Sequence, residues 1–327
     1  QSGEYEIYLQ PSDGSGEARK LTNRGKGLGY TLHWSPDSET IAFVDETNTI
    51  FTVDASSGNT QRVTRYEWNL GHPGRNGYTL NWSPNSEWLT FSLGQDNAND
   101  AIYCYNTRSR ELKQVTSGYY NDSDPAFSAD GKYLFYLTDR NFRPSYSDMG
   151  DGTWVYPNAT QIAAVSLSAE TSSLLHPRND EVEIEDEEEE KKEEESEEEE
   201  SEAEEAEEAE DDAIAIDFDD MESRLVLLPP DAGNIGAIMP FDGKLVYLRI
   251  PNTGSGDRNL KLMVYDLEDR EEKTVIEGVR GARVTADGKA ILVRSRGKYG
   301  IIKPAPGQKI EDAVPPEGLE MIEVTKE

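Results

Sequence analysis

A short turn unit recurs along the chain and constrains the fold more than any other feature of the sequence. Each copy places a turn built on Asp or Asn directly before a hydrophobic strand. The turn residues are Asp37, Asn85, Asp130, Asp242 and Asp287, separated by 48, 45, 112 and 45 residues. Pro-Asp and Asp-Gly pairs favour tight turns, because Pro presets φ and Gly tolerates positive φ. A period of about 45 residues is typical of the blades of a β-propeller.

Further strand-like segments follow each turn. After the turn at Asp37 they cover residues 40–44, 49–54 and 61–64, and they are rich in the β-branched and aromatic residues that suit pleated strands. The sequence therefore predicts an all-β fold, a β-propeller of four-stranded antiparallel blades. Short strands at regular spacing also build β-sandwiches, which remain the alternative.

The repeat divides the whole chain, residues 1–327, into five blades and a half blade of a partial propeller. Residues 1–29 match only the second half of a unit. The predicted units are a half blade at 1–29 and blades at about 30–77, 78–122, 123–232, 233–280 and 281–327. The long step of 112 residues falls in the fourth unit and exceeds a blade by about 67 residues.

An acidic segment at residues 181–212 lies within that long step. It holds 23 Asp or Glu and 2 Lys, a net charge of −21, which leaves −12 of the total −33 for the rest of the chain. Without aromatic side chains it cannot bury enough apolar surface to offset the entropy of ordering. We expect a disordered, solvated insertion, helical at most at 202–210. The alternative is an acidic tether that binds a basic partner or screens an entrance from anionic substrates.

A search for catalytic or metal-binding motifs finds no candidate centre. There is no Gly-x-Ser-x-Gly, no phosphate-binding loop and no His/Cys cluster with zinc spacing, so no cofactor or metal is expected. His33 precedes Trp34 on a strand and is expected in a core or interface, whereas His72 and His176 lie in turns. Cys104 alternates with tyrosines and is expected to be a buried, inert thiol. This chain alone is therefore not expected to be an enzyme.

The connection from Asp139 to Gln161 is the best candidate for a contact surface. It interrupts a blade between its second and third strands and combines Arg with aromatic residues, a mixture enriched at binding hot spots. The candidate contact residues are Arg140, Phe142, Arg143, Tyr146, Trp154 and Tyr156. Two interpretations stay open. The loop either packs over a neighbouring blade or contacts a sister domain or a passing peptide.

Charge and hydropathy exclude two classes of partner. An acidic surface repels nucleic acid and anionic lipid, and no apolar run reaches the roughly 20 residues that a membrane span needs.

The chain opens on polar residues with no initiator Met, so we expect a fragment or processed chain that begins inside a repeat. A single cysteine fits a cytoplasmic protein, with a periplasmic or exported protein as the alternative.

Several segments resemble the tricorn protease family in its second, seven-bladed propeller. The shorter turn units are similar to those of the TolB and dipeptidyl-peptidase propellers. The sharper matches are residues 127–142, then Pro144, 156–157 and 160–162, and after the acidic segment 224–229, 232–234 and 294–302. A charged insertion in this blade is also similar to many tricorn homologues.

The resemblance implies one propeller of a seven-bladed ring within a large serine peptidase. There the propeller acts as a gate or channel for peptides in front of a PDZ domain and a downstream catalytic domain, and the intact protein is a homo-oligomer. The family's Ser, His and Glu catalytic residues lie downstream, so none is assigned here. The alternative is a stand-alone TolB-like propeller that serves as a scaffold for protein–protein interaction.

Overall fold

Each Asp or Asn turn joins the first two strands of a separate antiparallel sheet. The structure, a computed structural model, describes residues 5–25, 27–67, 78–143, 145–146, 154–177, 214–285, 287–295 and 297–310. These residues form four four-stranded sheets, one three-stranded sheet and a two-stranded half blade. A β-hairpin inserted in the third sheet forms a further strand pair.

The half blade and the first two blades follow one another along the chain. The half blade pairs β1 (Tyr8–Leu9) with β2 (Arg19–Lys20). Blade 1 consists of β3 (Gly29–Trp34), β4 (Thr40–Asp45), β5 (Thr49–Asp54) and β6 (Thr60–Arg65). Blade 2 consists of β7 (Leu80–Trp82), β8 (Trp88–Gly94), β9 (Asp100–Asn106) and β10 (Leu112–Gln114).

Blade 3 carries two long connections, blade 4 has four consecutive strands, and blade 5 has three strands in the described part of the chain. Blade 3 is formed by β11 (Asp122–Phe127), β12 (Tyr133–Thr138), β15 (Gln161–Ser166) and β16 (Leu225–Leu227), with the hairpin of β13 (Ser145–Tyr146) and β14 (Trp154–Val155) between its second and third strands. Blade 4 is formed by β17 (Asn234–Phe241), β18 (Lys244–Ile250), β19 (Lys261–Asp266) and β20 (Glu272–Glu277). Blade 5 is formed by β21 (Val279–Val284), β22 (Ile291–Ser295) and β23 (Lys298–Ile302).

The first strands of successive blades contact one another. Strand β3 contacts β7, β7 contacts β11, β11 contacts β17, and β17 contacts β21. These strands therefore surround an axis, and the later strands of each blade lie progressively farther out. This arrangement confirms the all-β propeller and excludes the β-sandwich.

The hydrophobic core is divided among the interfaces between successive units. Side chains alternate across each strand, so one strand supplies two interfaces. In β12, Leu134 and Tyr136 pack toward blade 2, whereas Phe135 and Leu137 pack toward blade 4. Comparable clusters join the half blade to blade 1, blade 1 to blade 2, and blade 4 to blade 5. The blades are thus held together mainly by burial of apolar surface.

The turns between first and second strands share one hydrogen-bonding pattern. In blade 2 the Ser83 hydroxyl accepts the Trp88 amide at 2.9 Å and donates to the Asn85 side chain at 2.7 Å. The same contacts are made by Ser35 in blade 1, Ser128 in blade 3 and Thr285 in blade 5. Blade 4 instead turns directly at Asp242-Gly243. The hydroxyl closes the turn by satisfying a backbone amide at the start of the next strand.

Bulges in the first strands bring neighbouring blades together near the axis. Register shifts occur in β3, β11, β17 and β21. Across the blades, Asp124 Oδ2 accepts the Ile238 amide at 3.2 Å, and the Trp82 indole donates to the His33 carbonyl at 3.1 Å. Ile238 lies in the bulge of β17, so its displaced amide finds a partner in the neighbouring blade.

The propeller has two faces that differ in their connections. Because consecutive strands of a blade run antiparallel, the loops from first to second and from third to fourth strands lie at one edge. We call this edge the turn face. The loops from second to third strands, and the connections between blades, lie at the other edge, which we call the connection face.

Helix is nearly absent from the described residues, as the sequence predicts. A single 3₁₀ turn, Met221–Arg224, precedes β16. No helix in the described part of the chain is long and apolar enough to cross a membrane. The acidic segment 181–212 and His72 lie outside the described residues.

Candidate functional site

The connection from β12 to β15 leaves blade 3 on the connection face. Its ends are fixed by the pairing of Thr138 with Gln161, which closes the two strands. The Thr160 hydroxyl donates to Asp139 Oδ1 at 2.9 Å, and Thr160 also forms a bridge to Gly233 ahead of blade 4. The loop is therefore anchored where blades 3 and 4 meet.

The side chain of Arg140, the first candidate residue, contacts other residues of the fold. Its Nη2 donates to Glu222 Oε1 at 2.9 Å and its Nε to the Thr138 hydroxyl at 3.0 Å. The guanidinium also stacks over the Tyr120 ring, 4.3 Å from its centroid, and only 16% of the side chain is exposed. Arg140 thus ties the base of the loop to the 3₁₀ turn and to the connection from blade 2.

Asp122 lies buried beneath this contact. Its Oδ2 is 3.8 Å from Arg140 Nη2 and its side chain is 1% exposed. Burial raises the pKa of Asp122 above its ordinary value, opposed in part by the nearby Thr138 and Thr116 hydroxyls and by the charge of Arg140. Arg140 is the cation that makes ionisation of this carboxyl group tolerable.

Four aromatic side chains lie together on the connection face. The Phe142 ring is 5.7 Å from Tyr120 and 5.6 Å from Tyr156, and Tyr119 is 5.0 Å from Tyr120, measured between ring centroids. We call Tyr119, Tyr120, Phe142 and Tyr156 the aromatic patch. Tyr119, Phe142 and Tyr156 are 75%, 58% and 47% exposed. Contiguous exposed aromatic surface of this kind is typical of contact sites.

The other candidate residues occupy different parts of the same loop. Arg143 is exposed and lies beside Phe142. Tyr146 and Trp154 are opposite each other in the β13–β14 hairpin, and their side chains lie outside the described residues. The structure therefore brings Phe142 and Tyr156 into one patch and places Arg143 next to Phe142. Arg140 stacks on Tyr120 at the base of the patch.

A cleft of about 800 Å³ lies at the junction of blades 3 and 4. Asn141 and Arg143 line its edge on the loop side, while the end of β18 and the segment after β16 form its walls. The Arg249 guanidinium fixes these walls, because it donates to the Asp231 carbonyl at 3.1 Å and to Glu272. We call this space the blade 3–4 cleft.

Sequence reasoning missed two parts of this site. Tyr119 and Tyr120 belong to the connection from blade 2, and Glu222 is far along the chain from Arg140. The pair Tyr119-Tyr120 in a connection between blades was a usable signal, since large exposed aromatics in loops are uncommon. Nothing in the sequence indicated that Glu222 would meet Arg140.

Of the other titratable candidates that the structure describes, His176 is exposed, His33 is half-buried and Cys104 is buried. Burial lowers the pKa of His33 to about 4, with a further contribution from Arg283, and its Nε2 has no hydrogen-bond partner among the described residues. Burial raises the pKa of Cys104 to about 12, so its thiol is unreactive near neutrality. The described residues contain no group of three or more His, Cys, Asp or Glu that could hold a metal ion.

Blades that pack face to face around an axis define a β-propeller domain. In this chain the propeller carries a long loop on its connection face. A family model, the tricorn protease second beta propeller domain, matches residues 1–305. The chain belongs to this family of tricorn protease propeller domains.

Curated relatives extend the likeness to longer proteins of Streptomyces coelicolor. The chain is 25% identical over 288 residues to tricorn protease homolog 1, covering 84% of the chain and 25% of that protein. It is 24% identical over 216 residues to putative tricorn protease homolog 2, covering 61% of the chain and 16% of that protein. The chain thus spans a quarter or less of the length of these relatives.

Solved structures show the same fold at lower identity. The crystal structure of the tricorn protease superposes with a TM-score of 0.65 at 21% identity, over 88% of this chain and 26% of that one. TolB from Acinetobacter baumannii superposes with a TM-score of 0.51 at 14% identity, over 92% of this chain and 57% of that one.

Proposed function

We propose that this propeller admits or guides peptides toward the catalytic domain of a tricorn-like serine peptidase. Membership of the tricorn propeller family supports the context of a longer peptidase. The resemblance adds PDZ and catalytic domains as partners within a homo-oligomer. The observation that carries the role in peptide access is the aromatic patch, exposed on the connection face beside the blade 3–4 cleft.

The patch suits transient contact with polypeptide. Its rings present apolar area at a low cost in side-chain entropy, because each has few rotatable bonds and is braced by its neighbours. The loop is also held firmly at its base by Arg140 and Thr160. A rigid base with exposed rings favours a contact surface over a cover that merely packs on a neighbouring blade.

The test is carried out in the longer protein that contains this chain. The double variant Phe142→Ala, Tyr156→Ala removes exposed area without touching the core. We expect kcat/KM for peptides of about ten residues to fall several-fold, and that for a fluorogenic dipeptide to stay unchanged, because a short substrate makes fewer contacts on its way to the catalytic site. The melting temperature should not change.

Tyr8→Ala provides the matched control, since Tyr8 is 52% exposed on the half blade. It should leave turnover of both substrates unchanged. Unaltered turnover of long peptides in the double variant would contradict the proposal, and so would an equal loss with Tyr8→Ala.

A further inference from the structure

The blade 3–4 cleft lies away from the propeller axis. Its lining comes from the ends of β15, β18, β19 and β20, from the segment after β16, and from the two connections at the blade junction. None of the first strands, which surround the axis, contributes a lining residue. The cleft is therefore a site of its own, distinct from the central opening of the ring.

Side-chain amides dominate the groups that remain available in the cleft. Asn141, Gln161, Asn252 and Asn259 all line it. Within the described ranges, their side-chain amide groups make no hydrogen bond. Each carboxamide offers two N–H donors and a carbonyl acceptor. This is the combination that pairs with the N–H and C=O groups of a peptide backbone.

The charges of the cleft are balanced, and part of them is already paired. Its lining contains three cations, Arg143, Arg249 and Lys261, and three anions, Asp231, Asp257 and Glu272. Arg249 is bound to Glu272, which also accepts the Tyr247 hydroxyl, and Lys261 lies 3.0 Å from Glu277. Paired charges of opposite sign give little net attraction for a charged ligand.

An apolar wall completes the cleft. It is formed by Leu228-Pro229-Pro230 on the blade 3 side and Ile250-Pro251 on the blade 4 side. The three prolines have no N–H groups, so they present only carbonyl and hydrocarbon surface to the cleft. Among the described residues that line the cleft there is no aromatic ring, so they offer no flat stacking surface for a sugar.

The walls are held in place across the two blades. The Thr253 amide donates to Asn158 Oδ1 at 2.8 Å, and Arg249 Nη1 donates to the Asp231 carbonyl. A Cβ on Gly233 would approach Arg249 Nη1 to 3.1 Å, which shows how closely the wall is packed. The cleft is thus formed before any ligand arrives, which lowers the cost of binding.

We propose that the blade 3–4 cleft binds an extended stretch of polypeptide through its backbone amides, with little preference for charged side chains. The inference rests on the proposed function for its ligand class, and adds the location and the mode of recognition. A peptide held by its backbone would lie between the two blades, with one end passing the aromatic patch.

The experiment measures binding to this chain, residues 1–327, by fluorescence anisotropy. The probe is a fluorescein-labelled, uncharged decapeptide of serine, leucine and phenylalanine. A second probe carries N-methyl groups at alternate residues, which removes backbone donors and leaves the side chains unchanged. We expect the methylated peptide to bind at least ten-fold more weakly, as loss of two or more hydrogen bonds implies.

Variants then locate the binding site. The double variant Asn252→Leu, Asn259→Leu removes two carboxamides at nearly constant volume and should weaken binding of the unmethylated probe at least five-fold. Asn59→Leu makes the same change at an exposed residue on the turn face and should have no effect. Circular dichroism confirms that each variant is folded.

Any one of four results would overturn the inference. Three of them are equal affinity for the methylated and unmethylated probes, unchanged affinity in the double variant, and displacement of the probe by an oligosaccharide such as maltoheptaose. Much tighter binding of a glutamate-substituted decapeptide would also overturn it, because recognition would then depend on charge. The turnover test of Phe142 and Tyr156 uses residues outside the cleft lining, so either proposal can fail while the other stands.

Discussion

The turn face and the connection face differ in how regular their loops are. On the turn face, four of the five blades close their first hairpin with the same Ser or Thr hydroxyl contacts. On the connection face each link is different, and the loop after β12 holds an exposed aromatic patch above a buried ionic contact. The repeated turns of the turn face stabilise the fold, whereas the varied loops of the connection face can form a binding site.

The largest effect is expected from Arg140, where the connection face also supports the fold. Arg140→Ala leaves the buried Asp122 without its nearby cation and should lower the free energy of unfolding by about 2–3 kcal/mol at pH 8. The neighbouring exposed Arg143→Ala should change it by less than about 0.5 kcal/mol. Urea unfolding measures both. A loss below about 1 kcal/mol would mean that Arg140 serves contact rather than the fold.

The pH dependence of the Arg140→Ala loss sharpens the same point. The pKa of Asp122 is already raised by burial, and removal of Arg140 raises it further. A carboxyl group with a raised folded pKa favours the folded state at low pH, and this advantage is lost as pH rises through the folded pKa. The destabilisation by Arg140→Ala should therefore shrink from pH 8 toward pH 4. In the Asp122→Asn background, Arg140→Ala should show less of this dependence.

A smaller loss is expected from a single turn hydroxyl. Ser83 is fully buried, so Ser83→Ala leaves the Trp88 amide without its acceptor and should cost about 1–2 kcal/mol. Ser109→Ala, an exposed serine in another turn of blade 2, should cost less than about 0.5 kcal/mol. Equal losses for the two variants in denaturant unfolding would remove the special role of the repeated hydroxyl.

A small gain is expected where the repeat itself is imperfect. Ser38 occupies the left-handed position of its turn with φ of 62°, whereas blades 3, 4 and 5 have Gly there. Ser38→Gly should raise stability by roughly 0.5 kcal/mol, because Gly adopts positive φ without steric cost. Ser38→Ala should give no gain. The melting temperatures of the two variants, compared with that of the unaltered chain, test this prediction.

The smallest effect is expected from the acidic segment. The described residues on either side of it are anchored on the turn face, where Arg270 donates to the His176 carbonyl at 2.7 Å and Ile214 packs on Gly131. Replacing 181–212 by a short Gly-Ser linker should shift the melting temperature by no more than roughly two degrees. A larger fall would show that this segment contributes to the core.

Sequence reasoning succeeded where one rule is repeated. The spacing of the Asp and Asn turns predicted the five sheets and the half blade, because a turn and its strands are encoded by neighbouring residues. It also located the β12–β15 connection between a second and a third strand. The Ser or Thr residue that starts the turn in four of the blades is present in the sequence. Its role in closing the turn through its hydroxyl was not predicted.

The site could be predicted only in part, because its contacts join distant residues. Arg140 meets Glu222 from across the acidic segment, and Tyr120 reaches Phe142 from another blade. Spacing along the chain carries no information on such pairs. From composition alone, Arg140 and Tyr156 are equally good candidates for contact residues. In the structure the Arg140 side chain is held within the fold, whereas Tyr156 is exposed.

Hydrogen–deuterium exchange of residues 1–327, with and without the uncharged decapeptide, tests the division between the two faces most directly. We predict slower exchange at 139–143, 156–161, 228–233 and 249–261 on the connection face, and unchanged exchange in the turns at 35–38, 83–86 and 128–131. Protection confined to the turns, or spread evenly over both faces, would contradict the account.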